Sequence, residues 1–371
     1  MRPPILLLGL SLGLLADEPA PATHSNGEGA EFSFHGVLRG SAAPNPETGP
    51  TTATADEWFL FANHCHSAKS HDSFTPISVL LSQAALHGAS SIAVTDHRTL
   101  AQCSDPDFYP QLGVYPICGE EWGSEGHAGL LNLPPDADPM DGWPLAEMVA
   151  EATALGASVI ANHPFFDGDP WPEGRVSPGI NGIEVWNGPW WWRQKAAVPN
   201  QRAVGWWQDH LEEGRRIFAI GGSDVHYVGL NPLFPCNYVL AAGPEPDLIQ
   251  AAVEAGRMGI SVDEDGPRTF LWADIDGDAE YEIPMGTNVA ITSPTRLRIR
   301  IAVKKGKGDR LYLYTREGIV HSRRVDTAVW ELRISALVDE NTRDFIRVEL
   351  RAGRTNYMRS LTNPIYVNYD D

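Results

Sequence analysis

Trp58-Phe59-Leu60-Phe61-Ala62-Asn63-His64-Cys65-His66 is an apolar run that ends in a pair of imidazoles. Its length and aromatic content predict a buried strand. Residues two apart on a strand share a face, so His64 and His66 should point one way and Asn63 and Cys65 the other. Two imidazoles at a strand tip form a donor pair for a transition metal.

The same construction recurs downstream. Ser91-Ile92-Ala93-Val94 runs into Thr95-Asp96-His97, and Val114-Tyr115-Pro116-Ile117 into Gly119-Glu120-Glu121, with Gly126-His127 close behind. Ser158-Val159-Ile160-Ala161 then leads to Asn162-His163-Pro164, Ile183 to Glu184-Val185-Trp186-Asn187, and Phe218-Ala219-Ile220-Gly221-Gly222 to Ser223-Asp224-Val225-His226. Histidines 64, 66, 71, 97, 127, 163 and 226 all fall at or beside these strand ends, whereas His24, His35, His87, His210 and His321 do not. A single histidine is more often an ordinary hydrogen-bonded residue than a ligand. The recurrence at successive strand ends is what predicts a metal site.

Between the strands, helical patterns are expected over 76–87, 144–155, 201–213 and 247–255. Strands alternating with helices mean an α/β chain with parallel strands, and catalytic residues at the C-terminal strand tips are the barrel arrangement. Beyond about residue 266 the pattern changes to alternating apolar and polar residues at 296–303, 310–314, 328–334 and 345–350, separated by Gly, Asp and Asn turns. That region reads as an antiparallel β-sandwich.

With 371 residues, one catalytic domain and a smaller companion are the natural expectation. A formal charge of −20 argues against a polynucleotide partner, because such affinity comes from Lys and Arg on phosphates. The expected partner is a small molecule. Residues 1–22 read as an export signal, with Arg2 before an apolar stretch from Ile5 to Leu15 that is too short to span a bilayer, and the chain is expected to be periplasmic or secreted. No stable membrane insertion is expected. Residues 23–57, rich in Pro, Gly, Ala, Thr and Glu, read as a linker with one strand at 31–38. Cys103 and Cys118 flank a loop and can pair in an oxidising compartment, while Cys65 and Cys236 read as buried thiols.

The ordered set His64-Cys65-His66, Ser70-His71-Asp72, Thr95-Asp96-His97, Gly119-Glu120-Glu121, Gly126-His127, His163-Pro164 and Ser223-Asp224-Val225-His226 resembles the PHP family of metal-dependent phosphoesterases, named for polymerase and histidinol phosphatase. The stretch from Glu184 to Gly188 and the tail from Leu361 to Tyr366 look like the branch that includes carbaryl hydrolase. The motif match spans 58–265, leaving 266–371 for the sandwich.

The resemblance implies a distorted (β/α)7 barrel of the PHP type holding two to three divalent ions, zinc, manganese or iron. It implies that His64, His66, Glu121 and Asp224 hold one ion, Glu121, His127 and His163 a second, and His97, His226 and Asp72 a third, with His71 competing for the place of Asp72. Glu121, Asp224 and His226 are the catalytic candidates. The family begins its first motif with an acidic residue where Ala62 stands here, so the carboxylate that orients the imidazole must come from elsewhere. Asp96 is a candidate for that role, or for a ligand.

The implied chemistry is attack by a metal-bridged hydroxide on a phosphate ester. Carbamate or carboxylic esters are the alternative substrates. A non-catalytic metal- or ligand-binding protein is the alternative class, and an amidohydrolase-type barrel, which also opens with H-x-H, is the alternative enzyme. Arg98, Asn187 and Trp190 are candidates to contact substrate; Trp191 and Trp192 extend the aromatic cluster, while Trp206 and Trp207 read as core.

Overall fold

The computed structural model describes residues 56–166, 168, 170–172, 178–188 and 197–370. The stretches read as export signal and linker strand lie outside the described residues, as do Trp190, Trp191 and Trp192.

The first part of the chain runs β1 (Glu57–Cys65), α1 (Ile77–Leu86), β2 (Ser91–His97), β3 (Tyr115–Gly123), β4 (His127–Leu131), α2 (Leu145–Ala154), β5 (Ser158–Asn162), β6 (Gly182–Asn187), α3 (Ala197–Glu212), β7 (Phe218–Gly222), β8 (Cys236–Ala241), α4 (Pro246–Glu254) and β9 (Met258–Ser261). Local chemistry sets the helix ends. Pro76 and Pro144 precede α1 and α2, where a missing N–H costs nothing, and Gly88 and Gly156 take the left-handed φ of 80° and 82° that stops each helix. Helix α1 buries Ile77, Leu80, Leu81 and Ala84, the stripe that a 3.6-residue period produces.

Strands β1 to β7 stand side by side in chain order in a curved sheet. Phe61, Ala93, Ile117, Leu131, Ile160 and Ile220, from six of these strands, pack in one buried cluster on the inner face. Glu121 lies four residues beyond Ile117, and His97 four beyond Ala93, on the same face nearer the strand tips. The sheet curls back on itself at that rim. Ser223 N donates to Asn63 O at 2.9 Å, Asp224 N to His64 O at 2.7 Å and His66 N to Val225 O at 3.0 Å.

A regular (β/α)7 barrel is not what these strands form. Strand β4 is antiparallel to both β3 and β5, and among the described residues no helix follows β2, β3 or β5. The physical reason lies in Gly123-Ser124-Glu125-Gly126, too short for a crossover helix and suited to a hairpin, with Gly126 at φ 93°. The β2–β3 connection is instead a run of turns tied down by a Cys103–Cys118 disulfide, while Cys65 and Cys236 are free and buried.

The edge of β7 has an unusual finish. Asn237 of β8 accepts from Gly221 N at 2.8 Å and donates to Gly221 O at 2.9 Å and Phe61 O at 3.3 Å. Asn363 accepts from Ala219 N at 2.8 Å and donates to Ala219 O at 2.9 Å and Met258 O at 3.1 Å. Two side-chain amides thus do for β7 what a neighbouring strand would do.

The chain continues as β10 (Arg268–Asp274), β11 (Ile283–Pro284), β12 (Asn288–Val289), β13 (Thr295–Lys304), β14 (Arg310–Thr315), β15 (Gly318–Arg324), β16 (Val329–Val338), β17 (Asp344–Arg351), β18 (Met358–Thr362) and β19 (Ile365–Val367). Strands β11, β10, β13 and β16 make a four-stranded antiparallel sheet. It packs Leu271, Ile299 and Ile301 against Leu313, Val348 and Leu350 of the other layer, the two-sheet arrangement expected of this region. That second layer joins the first part of the chain through β18, which pairs with β9. Among the described residues no helix is long and apolar enough to cross a membrane.

Candidate metal centre

Strand β1 delivers His64 and His66 through a bulge rather than a flat pleat. Its register against β2 slips between Ala62 and Cys65, and His64 has φ 60°. Asp224 at φ 50° and His163 at φ 26° are also left-handed. Such backbone costs about 1–2 kcal/mol per residue, and its gathering at one rim marks a site held against local preference.

Glu121 is the hub. Its Oε1 lies 3.1 Å from His64 Nε2, 3.2 Å from His127 Nδ1 and 3.1 Å from His163 Nε2. Its Oε2 lies 3.2 Å from His66 Nε2 and 3.3 Å from His97 Nδ1. Asp224 Oδ1 stands 3.5 Å from His64 Nε2, 3.4 Å from His66 Nε2 and 3.4 Å from His226 Nδ1. Asp72 Oδ2 closes the outer side, 3.1 Å from His226 Nε2 and 3.4 Å from His97 Nε2. The structure therefore brings His64, His66, Asp72, His97, Glu121, His127, His163, Asp224 and His226 into one basin. Strand β4 starts where its antiparallel partner β3 ends, which places His127 at the same rim as Glu121.

The donor atoms fall into overlapping sets that can each hold an ion. They are His66, Asp72, His97 and His226; His64, His163 and Asp224; His64, His66 and Glu121; and His97, Glu121 and His127. Between Asp72 and His71, it is Asp72 that offers an atom to this basin, whereas the exposed His71 lies with its ring tilted 5.2 Å from that of His97.

Electrostatics and hydrogen bonding both fit a cation. Burial opposes charge on His64, yet Glu121, Glu184 and Asp224 raise its pKa well above the usual value; burial likewise opposes charge on His66, and the nearby carboxylates of Asp224 and Glu121 lift it to about 9. Burial would raise Glu121 and Asp224, but the surrounding imidazoles hold both carboxylates low. Burial pushes His97 down to about 4, against the pull of Glu121. His64 Nε2, His66 Nε2 and Glu121 Oε2 are buried without a hydrogen-bond partner, although His66 Nε2 lies 3.2 Å from Glu121 Oε2 and His64 Nε2 lies 3.1 Å from Oε1 of the same carboxylate. Atoms that converge without bonding to each other suit a divalent ion at their focus.

Glu184 takes the orienting role that the first motif lacks. Its Oε1 lies 3.0 Å from His64 Nδ1, and its Oε2 accepts from His163 N at 2.6 Å and Asn187 Nδ2 at 3.3 Å. A methyl group on Gly222 would collide with Glu184 Oε1, so the second glycine of Gly221-Gly222 makes room for that carboxylate. Asp96 serves neither of the roles considered for it, since its carboxylate accepts from Ser67 N and from Ser67 Oγ at 2.6 Å, bracing the loop after β1. Asn162, which donates to Glu121 Oε1 at 3.1 Å, is a further neighbour that no motif signalled.

Among the substrate-contact candidates, Arg98 is about half exposed at the rim, its Nε 3.5 Å from Asp141. Asn187 is buried and bonded to carboxylates of the site, a supporting position rather than an open one. Trp207 is core, donating to Ile217 O at 2.8 Å. Trp206 is half-buried against the same core and also lines a cavity of about 400 Å³ with Phe165, Trp171 and Arg202.

Glu120 points away from Glu121 and accepts from Met140 N at 3.0 Å; burial pushes its pKa up to about 7. A carboxyl whose folded pKa is raised costs stability as pH climbs from its unfolded value of about 4.3 through about 7. Glu120→Gln keeps the acceptor for Met140 and is expected to stabilise the protein at pH 8 more than at pH 5. Melting curves at the two pH values check this, and an equal shift at both would refute it.

No family model and no curated protein matches the chain. Among solved structures it is similar to a two-domain protein from Bacteroides vulgatus containing a predicted PHP-like metal-dependent phosphoesterase, at 16% identity and a TM-score of 0.48, over 88% of this chain and 100% of that one. The CARDB domain of a Pyrococcus furiosus protein aligns with 28% of this chain and 98% of its own length, at 10% identity and a TM-score of 0.18. Both likenesses are distant.

Proposed function

We propose that the chain is a metal-dependent hydrolase of small-molecule esters, a phosphate ester first, and that it works in the manner of the PHP family. The observation that carries this reading is Glu121, buried, with imidazoles on both oxygens and with Asp224 beside them. Divalent ions held by such a set supply Lewis acidity and lower the pKa of water.

The chain's own groups divide the remaining work. Glu121 and Asp224 hold the buried side of the basin. His226 is anchored by Nδ1 2.9 Å from Asp224 O and turns Nε2 toward Asp72. Asp72, whose side chain is 37% exposed, is the carboxylate of the set most open to solvent and is placed to accept a proton from water. Arg98 stands at the rim for an anionic oxygen.

A carbamate or carboxylic ester of the carbaryl-hydrolase type is the second reading. The apolar walls of the cavity beyond His163-Pro164, formed by Phe165, Trp171 and Trp206, favour it. Export belongs to the same proposal, supported by the Cys103–Cys118 disulfide.

Elemental analysis of protein purified without chelator is expected to find about two to three zinc, manganese or iron ions per chain, and the sample should turn over nitrophenyl phosphate. Turnover of nitrophenyl acetate alone would select the second reading. Stoichiometric metal with neither activity would leave a metal-binding protein.

A further inference from the structure

Asn187 ends β6 and is 1% exposed. Its Nδ2 lies 3.3 Å from Glu184 Oε2 and 3.3 Å from Asp224 Oδ2. Glu184 lies in β6 and Asp224 just beyond the end of β7, and the two carboxylates approach His64 from opposite ring nitrogens, Glu184 at Nδ1 and Asp224 at Nε2. A carboxylate only accepts hydrogen bonds, so the NH2 group of Asn187 must face them. One amide therefore sets the spacing between the group that orients His64 and a group that would share a cation with it.

Something must in turn fix Asn187, because the chain leaves the sheet at this residue. Asn200, in the first turn of α3 and 8% exposed, does so with both ends of its side chain. Its Oδ1 accepts from Asn187 N at 3.1 Å and its Nδ2 donates to Asn187 O at 3.1 Å. This is the bonding a neighbouring strand would offer, supplied by one side chain. It holds the backbone from which the Asn187 amide reaches the carboxylates.

We infer that Asn187 and Asn200 are positioning residues for the metal centre: Asn200 clamps the backbone of Asn187, and Asn187 holds Glu184 and Asp224 in register around His64. The inference rests on the metal-binding part of the proposed function and does not depend on which bond is cleaved.

The test uses the full chain loaded with zinc or cobalt. Zinc affinity is measured by competition with a chelator, ligand geometry by the visible spectrum of the cobalt form, and metal-free stability by melting temperature. Asn187→Ala is expected to weaken zinc binding about 10- to 100-fold, the scale on which outer partners of metal ligands act, and to shift the cobalt bands. Asn200→Ala should move both readouts in the same direction by a smaller factor. Asn200→Asp, which keeps the acceptor for Asn187 N and loses the donor to its carbonyl, should fall between Asn200→Ala and the parent.

Gln208→Ala is the control. Gln208 lies on the same helix but bonds to Arg347 at 2.7 Å, away from the basin, so its loss should leave zinc affinity and cobalt spectrum unchanged whatever happens to the melting temperature. Affinity and spectra for Asn187→Ala and Asn200→Ala that match the parent, or move no more than Gln208→Ala, would overturn the inference. If the parent binds neither zinc nor cobalt, the inference and the metal-dependent reading fall together. If it binds both metals, loses affinity as described and hydrolyses nothing, only the hydrolase reading falls.

Discussion

Glu121→Ala is expected to lower ester hydrolysis by about three orders of magnitude or more, the effect of removing a preorganised charge from a buried site. Metal content should drop with it. Both oxygens of Glu121 are engaged, and the two donor sets that contain it lose their shared member. The five imidazoles around it lose the charge that compensates them. Circular dichroism should show the folded chain, because the core of the sheet lies below the site, with Ile117 and Phe61 in the inner cluster. A variant that kept the parent's metal ratio and a rate within tenfold would refute the role given to this carboxylate. Glu120→Ala, one residue away on the opposite face, should leave metal content as it is.

Glu349→Ala is expected to cost about 3–5 kcal/mol of stability at pH 7, the usual penalty for leaving buried charge without its partner. Glu349 is buried between Arg347 NH1 at 2.7 Å and Arg351 NH2 at 2.6 Å, and Arg347 also stacks 4.0 Å from the ring of Tyr314. Burial opposes its charge, but Arg351 and Arg347 hold its pKa at about 2. A depressed carboxylate contributes stability above its unfolded value of about 4.3, and that contribution is lost as pH falls through about 2. The difference between parent and variant should therefore shrink from pH 5 toward pH 2. Denaturant titrations at pH 7 and pH 3 measure it. A difference below about 1 kcal/mol at pH 7 would show that the two arginines find other partners.

What could be read from sequence divides along chemical lines. Imidazole is scarce and polar, so its recurrence after apolar runs stands out and marks the rim; the acids Asp72, Glu121 and Asp224 were implied only by the resemblance to the PHP family, which left His71 open beside Asp72. The helices at 76–87 and 144–155 were equally legible, because a buried stripe and a terminal glycine leave periodic marks. Glu184 was harder, since an acid within an apolar strand reads as ordinary alternation until His64 is seen beside it. Asn187 stood out only as a candidate to contact substrate, and Asn162 and Asn200 carried no signal for a role at the site, because asparagine is common wherever a chain turns. The reversal at β4 was missed for a related reason. Sequence period reports how a strand is buried on its faces, whereas direction depends on whether the link after Gly123 is long enough to cross over.

The amide of Asn363 has a consequence for how this chain can be divided. A cut near residue 266 would preserve every donor in the basin, yet it would strip Ala219 N and O of their bonds to Asn363 and leave the β7 margin held only at Gly221, by Asn237. Asn363 thus acts as a hem on the strand that leads into Asp224. An excised N-terminal fragment would carry the complete set of reactive groups on a frayed support, and its unpaired β7 margin would be a place for fragments to stick to one another.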